Sequence, residues 1–248
     1  MKKVTYFLKS FPVLSQTFVI DQINNLIESG CDVRIISVFP EKIDSKLKGS
    51  VDKFNLLEKT EYVCEKQSYF GKVCFLLLAF FTCLKRFRNS RSVLNLFKHL
   101  ALSRDFKNAI NIVRIHHHLI YKSQIPQEFR MGTFIAHFGQ FGVMTQALID
   151  SKILSGKLLT VFHGYEMSEH EQIKIWKTRY VGLCKGNNQL LPISDFWKKR
   201  LIEWGASEEH VSVLHMGVDT QSLPFQPKPL KNPINILTVA RATEKKGL

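Results

Sequence analysis

Short aliphatic runs alternate with stretches of helical periodicity along most of this chain. Val4 to Leu8 and Val33 to Val38 have the β-branched, apolar composition of buried strands. Between them Phe18, Val19, Ile23, Leu26 and Ile27 recur at helical spacing over Thr17 to Ser29, and Gly30 ends the pattern. The unit predicted is β-α-β. The alternation continues with strands at Thr133 to Ala136, Leu158 to Phe162, Gln189 to Ile193 and Val211 to Leu214, and helices at Val143 to Lys152 and Ser194 to Trp204. Helices interleaved with buried strands predict a parallel sheet covered on both faces, a doubly wound Rossmann-like α/β fold. Between Tyr69 and Ser123 no strand pattern occurs, so two or three inserted helices are expected there.

The C-terminal part has a different texture. Leu223 to Pro233 holds Pro224, Pro227, Pro229 and Pro233, each of which stops a helix and restricts its predecessor to extended backbone, so this stretch reads as an interdomain linker. Ile234 to Ala240 then has the alternation of an opening strand, followed by a basic, Gly-containing turn through Leu248. Such a turn delivers backbone N–H groups and cations to a phosphate. The parsing expected is an N-terminal domain over 1–222, a linker over 223–233 and the start of a truncated second Rossmann-like domain over 234–248. With no second sheet to join, Ile234 to Ala240 is expected to pack poorly or to borrow contacts from the first domain.

Charge narrows the partners. Thirty-five basic residues against 21 acidic ones leave a formal +14, which attracts nucleic acid, anionic lipid or phosphorylated substrates. Lys85, Arg86, Arg88, Arg91, Lys98, Arg104, Lys107, Arg114, Lys122 and Arg130 fall in one stretch that follows the apolar run Val73 to Leu84. That composition suits either a segment lying in the headgroup layer of an anionic membrane or a buried helix followed by a solvated basic one. The run itself is about a dozen residues, short of the roughly twenty a spanning helix needs. Met1 to Lys9 begins like a signal peptide but breaks at Lys9, as a first buried strand would. Nucleic acid is disfavoured because the aromatic residues sit mainly in apolar runs and are not interleaved with the basic ones. Five scattered cysteines without a C-x-x-C pair point to reduced thiols, not to a disulfide framework or a zinc site. His116, His117 and His118 point about 100° apart on a helix and do not converge on one ion.

Ligands of open parallel sheets bind at the carboxyl ends of the strands, so the residues that follow each strand are the candidates. After the first strand come Ser15, Gln16 and Thr17; Ser15 or Thr17 can cap the next helix and leave its other N–H groups for a ligand, although capping alone also accounts for a Ser there. After Ala136 come His137, Phe138 and Gly139, where glycine permits close approach of a substrate or simply a packed turn. Phe162-His163-Gly164-Tyr165-Glu166 puts the His163 imidazole at a strand tip, three residues before the Glu166 carboxylate; the role expected of His163 is that of a hydrogen-bond donor to substrate or leaving group. Arg241 and Lys246 flank the terminal turn and suit a diphosphate on which charge develops, a solvated basic turn being the competing reading.

Phe11-Pro12-Val13-Leu14-Ser15-Gln16-Thr17-Phe18-Val19, His137-Phe138-Gly139, Phe162 to Glu166, Ile193-Ser194, Met216-Gly217-Val218-Asp219 and Val239 to Gly247 together resemble the N-terminal part of a GT-B glycosyltransferase of family 4. This is a retaining group, and the likeness is nearest to the sugar transferases of colanic acid and amylovoran biosynthesis. The resemblance implies two Rossmann-like domains with the reaction between them, a nucleotide-diphosphate sugar as donor and a lipid-linked oligosaccharide as acceptor. It implies no metal and no other cofactor, and a peripheral place at the cytoplasmic face of an anionic bacterial inner membrane. His163 matches the histidine that hydrogen-bonds the donor sugar, and Arg241 and Lys246 match the pair that grips the diphosphate. Glu166 stands where the family usually has Asp and is expected with His163 in the catalytic set; Ser15, Gln16, Thr17, His137 and Gly139 are expected on the acceptor side. The family's paired glutamates belong to its second domain, so the chain as it stands is expected to transfer nothing. The competing expectation is a non-catalytic membrane-surface or glycan-binding module.

Overall fold

The computed structural model describes residues 1–64, 90–185 and 188–217, together with 220, 227, 233 and 236–239. Strands β1 (Lys3–Phe11), β2 (Asp32–Pro40), β3 (Thr60–Tyr62), β4 (Thr133–His137), β5 (Lys157–Phe162) and β6 (Gln189–Pro192) form one sheet in the order β3-β2-β1-β4-β5-β6. Every pairing is parallel. The strand order reverses between β1 and β4, and in such sheets the crevice outside the carboxyl ends at this switch point is where ligands bind.

Burial explains why the central strand reads as an unbroken apolar run. Val4 to Leu8 of β1 are all buried, as a strand covered on both faces requires. Val4, Tyr6 and Leu8 pack with Val33 and Ile35 of β2 and with Val19, Ile20 and Ile23 of helix α1 (Thr17–Glu28). Phe7 points to the opposite face and joins Ile36, Phe134 and Ala136. Helix α1 ends where expected: Ser29 and Gly30 return their N–H groups to Asn25 and Ile27 carbonyls, and Gly30 takes φ +80°, the left-handed geometry that suits glycine after a helix.

The second face is covered by helices of the insertion and by those that follow β4 and β5. After the short α2 (Lys48–Asp52), the described part of the insertion holds α3 (Arg91–Leu102) and α4 (Phe106–Tyr121), and the short α5 (Gln127–Arg130) precedes β4. Asp105 caps α4 through Asn108 N–H at 3.3 Å and accepts the Trp176 indole N–H at 3.0 Å. Trp176 lies in α8 (His170–Cys184), so the hairpin is fastened to the main body. The run Val73 to Leu84, with Lys85, Arg86 and Arg88, lies outside the described residues. Among the described residues no helix is long and apolar enough to cross a membrane.

Several elements differ from the sequence expectation. Helix α6 (Gly139–Asp150) starts four residues before Val143 and ends at Asp150, with Ser151 as its C-cap, because Lys152 turns into the left-handed region at φ +56°. Val211 to Leu214 is not a strand: Val211 makes an isolated bridge to Leu190, and Leu214 is exposed. Strand β3 and helix α8 carry no clear pattern in the sequence. β3 is three half-buried residues at the sheet edge, and α8 buries only Trp176, Tyr180, Leu183 and Cys184. The three consecutive histidines of α4 serve different neighbours. His116 shares a hydrogen bond with Ser90 Oγ at 2.8 Å, His118 pairs with Glu61 at 3.0 Å, and His117 lies against the Tyr121 ring.

The contacts divide the chain into two units, Met1–Met216 and Gly217–Leu248. In the second, Ile236, Leu237 and Val239 are exposed and belong to no strand.

The core assignment predicts the energetics of truncation. Phe134→Ala removes a fully buried ring from the sheet and is expected to cost about 3–5 kcal/mol in urea unfolding. Phe106→Ala, at an exposed helix start, is expected to change stability by less than about 0.5 kcal/mol.

Candidate functional site at the sheet switch point

Two strand tips meet beside the switch point. At the end of β4, His137 is followed by Phe138 at φ +70°, a conformation costly for a non-glycine residue. Phe138 N–H donates to Val161 O at 2.9 Å, which extends the β4–β5 pairing by one bond and holds the strained residue in place. Gly139 then opens α6; a Cβ there would stand 2.5 Å from a Phe162 ring carbon and 2.7 Å from one of Tyr180. The competing reading of Gly139, a packed turn, is therefore the one the geometry supports. At the end of β5, Gly164 adopts φ +86°, and a Cβ on it would stand 2.4 Å from the Trp197 indole nitrogen in α9 (Asp195–Glu203).

Glu166 joins these two tips. It lies in the short helix α7 (Tyr165–Ser168), is fully buried, and its Oε1 accepts the N–H of His163 at 3.0 Å and of Gly139 at 3.2 Å. Burial raises the carboxyl above its ordinary value, against the opposing pull of the N–H donors of its own residue, His163 and Gly139. Glu166, expected in the catalytic set, is placed by the structure behind the two loops, with Oε1 bonded to the backbone of each.

His163 is half-buried at the β5 tip, with Phe138 at 4.5 Å and Phe18 at 4.9 Å between ring centroids. Its Nε2 lies 3.0 Å from His137 Nδ1, and His137 Nε2 lies 2.9 Å from Gln22 Oε1. Gln22 Oε1 also accepts the Tyr6 hydroxyl at 3.1 Å. His137, expected on the acceptor side, is only 2% exposed and lies behind His163. Burial holds both rings in the neutral form: His163 is lowered to about 4, and His137, with His163 as a further cause, to about 3.

The first loop is arranged differently from expectation. Ser15 and Thr17 are exposed, Gln16 is half-buried, and no side chain caps α1, whose N-cap position is Gln16. A 3-10 turn at Leu14–Gln16, with Gln16 N–H bonded to Val13 O at 2.9 Å, leads straight into the helix and replaces a side-chain cap. The residue of this segment that reaches the strand tips is Phe18. Gln22, one helical turn further along the same face, is a site residue that sequence reasoning missed; the i, i+4 spacing from Phe18 was the available signal. Arg241 and Lys246 lie outside the described residues. Among the described residues no cluster of three His, Cys, Asp or Glu forms a metal site.

A doubly wound sheet with a fixed neutral imidazole pair at its switch point is a Rossmann-like α/β domain equipped to meet a polar, uncharged ligand group. Over 99% of its length the chain is 34% identical to the putative colanic acid biosynthesis glycosyltransferase WcaL of Escherichia coli K12 and 32% identical to the amylovoran biosynthesis glycosyltransferase AmsK of Erwinia amylovora. The chain is a homologue of these exopolysaccharide-biosynthesis glycosyltransferases. It spans 58% of the length of each. A solved glycosyltransferase from Rickettsia africae aligns with 89% of this chain and 44% of its own, at 13% identity and a TM-score of 0.45, too loose a likeness to bear on the chemistry. No family model matches the chain.

The buried histidines carry a pH signature. Both folded values lie below the ordinary 6.5, so below that pH the unfolded chain binds more protons than the folded one. Stability is fully present above about pH 6.5 and falls as the pH drops toward 4, by roughly 1 kcal/mol per ring and pH unit. Glu166, raised from 4.5, acts in the opposite sense: its contribution is present at low pH and is lost as the pH rises through its folded value. Comparing unfolding free energies at pH 7 and pH 5 for wild type and for His137→Gln/His163→Gln isolates the histidine part. The double variant is expected to lose less stability on acidification than wild type.

Proposed function

We propose that this chain forms the acceptor-side domain of a retaining glycosyltransferase. The enzyme moves a sugar from a nucleotide-diphosphate sugar to a lipid-linked oligosaccharide in exopolysaccharide biosynthesis. The observation that carries the reading is His163: a neutral imidazole, half-buried at a strand tip of the switch point, fixed through its backbone by Glu166 and through its ring by His137. A neutral ring is suited to a sugar hydroxyl near the anomeric centre, where a cation would compete with the charge that develops there. In this reading Arg241 and Lys246 hold the donor diphosphate and meet the negative charge of the departing nucleoside diphosphate, so the reaction proceeds without a metal ion.

The acceptor would reach the site from an anionic membrane surface at the cytoplasmic face. The turn between α3 and α4 supports this: Leu102 and Phe106 are exposed there, beside Arg104 and Lys107. Apolar side chains flanked by cations suit the headgroup layer of an anionic bilayer.

The test is a chimera in which this chain is joined to the part of the E. coli relative that the match does not reach, assayed for transfer from nucleotide-diphosphate sugars to lipid-linked acceptors. His163→Ala is expected to lower kcat/KM by about 100-fold with unchanged circular dichroism, the scale of losing one preorganised polar contact in a transition state. Transfer that survives His163→Ala intact would contradict the reading. Vesicle binding without affinity for any nucleotide-diphosphate sugar would favour the non-catalytic module.

A further inference from the structure

We infer that Gln22 is a positioning residue that sets the tautomers of the His137–His163 pair, so that His163 offers its Nδ1 lone pair to the ligand and takes a sugar through a hydroxyl that donates. This rests on the reading that His163 meets the sugar, and it adds the direction of that hydrogen bond and the residue that fixes it.

The chain of hydrogen bonds begins at Tyr6. Its side chain is fully buried on the central strand, and its hydroxyl proton is accepted by Gln22 Oε1 at 3.1 Å. Turning the Gln22 amide over would bring its NH2 group against the phenol oxygen and leave the phenol proton with no acceptor in the interior. An unmade buried hydrogen bond of that kind costs about 1–3 kcal/mol. The amide oxygen therefore faces inward, on a residue that is itself half-buried.

That oxygen has no proton to give, so the bond at 2.9 Å to His137 Nε2 is made by a ring that carries its proton on Nε2. A neutral imidazole protonated at Nε2 has a lone pair on Nδ1. His137 Nδ1 therefore accepts, and its partner at 3.0 Å, His163 Nε2, donates. The same rule applied once more leaves Nδ1 of His163 as a lone pair, and that atom makes no hydrogen bond among the described residues.

Packing keeps the rings in this order. Tyr6 lies nearly parallel to His137 at an interplanar angle of 13°, His137 and His163 meet edge to edge with their planes 23° apart, and Phe18 and Phe138 flank the outer ring. A half-turn of either imidazole would place a carbon where a nitrogen now bonds. Burial supports the chain of single protons because it disfavours the doubly protonated form of both rings. Gln22 thus acts at a distance of two rings from the ligand, as the partners behind a functional histidine commonly do by fixing which nitrogen is protonated.

The experiment is nitrogen-15 NMR on the 248-residue chain labelled at histidine, near pH 7 and without ligand. Both His137 and His163 are expected as neutral rings with the proton on Nε2. Gln22→Leu removes the acceptor, and the single Nε2–H form of His163 is expected to give way to a mixture or to Nδ1–H. Gln22→Glu keeps an acceptor-only oxygen and is expected to retain Nε2–H on both rings, whereas a purely structural role would leave the tautomers alike in all three proteins. Nδ1–H on either ring in the wild type, or an unchanged His163 tautomer in a folded Gln22→Leu, would overturn the inference. Because the tautomers are read without sugar, that result would leave the transferase reading standing. Loss of the His163→Ala effect in the chimera would remove the transferase reading while the tautomers stayed as found.

Discussion

The site depends on one buried carboxylate oxygen. Glu166 Oε1 accepts backbone N–H groups from two different strand tips, His163 after β5 and Gly139 after β4. Neither loop has a regular ladder to satisfy those donors at the point where the strands end, and a buried N–H left unpaired is costly. A single acceptor that bridges both fixes their separation. From that follow the left-handed geometry of Phe138, held by its bond to Val161, and the turn at Gly164, pressed against Trp197. The spacing of the two tips in turn fixes the 3.0 Å contact between the two imidazoles. The carboxylate acts through the backbone and the histidines through their rings, so the geometry of His163 is determined from two independent directions.

The electrostatic design separates charge from recognition. The chain is strongly basic overall, yet the side chains hydrogen-bonded in line with His163 are neutral: two imidazoles lowered by burial, an amide and a phenol. A neutral cluster recognises hydroxyl groups by direction without drawing anions into the position that a sugar should occupy. In the proposed enzyme the diphosphate is met by Arg241 and Lys246, and the lipid surface by the cations around the α3–α4 turn.

Much of the fold was legible because its signals are local. The apolar run Val4 to Leu8 and the periodic helix Thr17 to Ser29 are set by burial on a fixed spacing, and both occur where expected. Strand β3 was hidden because three half-buried residues at an edge, Thr60 to Tyr62, need no apolar pattern. Helix α8 was hidden because its buried face is spread over Trp176, Tyr180, Leu183 and Cys184 amid charged residues. In the site, His163 stood out as a polar residue at a strand tip beside glycine, but the sequence gives no direction to a carboxylate. Glu166 looked like a reacting group and is fully buried, with Oε1 bonded to two backbone N–H groups. His137 looked accessible and lies behind His163. Gln22 had no motif at all, since its role depends on a partner 115 residues away. Similarity to the colanic acid and amylovoran transferases reaches nearly the whole chain, and it supports the class of chemistry without supplying any of these directions.

In the proposed enzyme His163 reads a sugar hydroxyl at the switch point. A crystal structure of the chimera with an uncleavable nucleotide-diphosphate sugar tests it most directly. A hydroxyl of the transferred sugar is expected about 2.8 Å from His163 Nδ1, with Glu166 still bound to both backbone N–H groups. A sugar lying away from the β5 tip, with His163 still turned only toward His137, would contradict it.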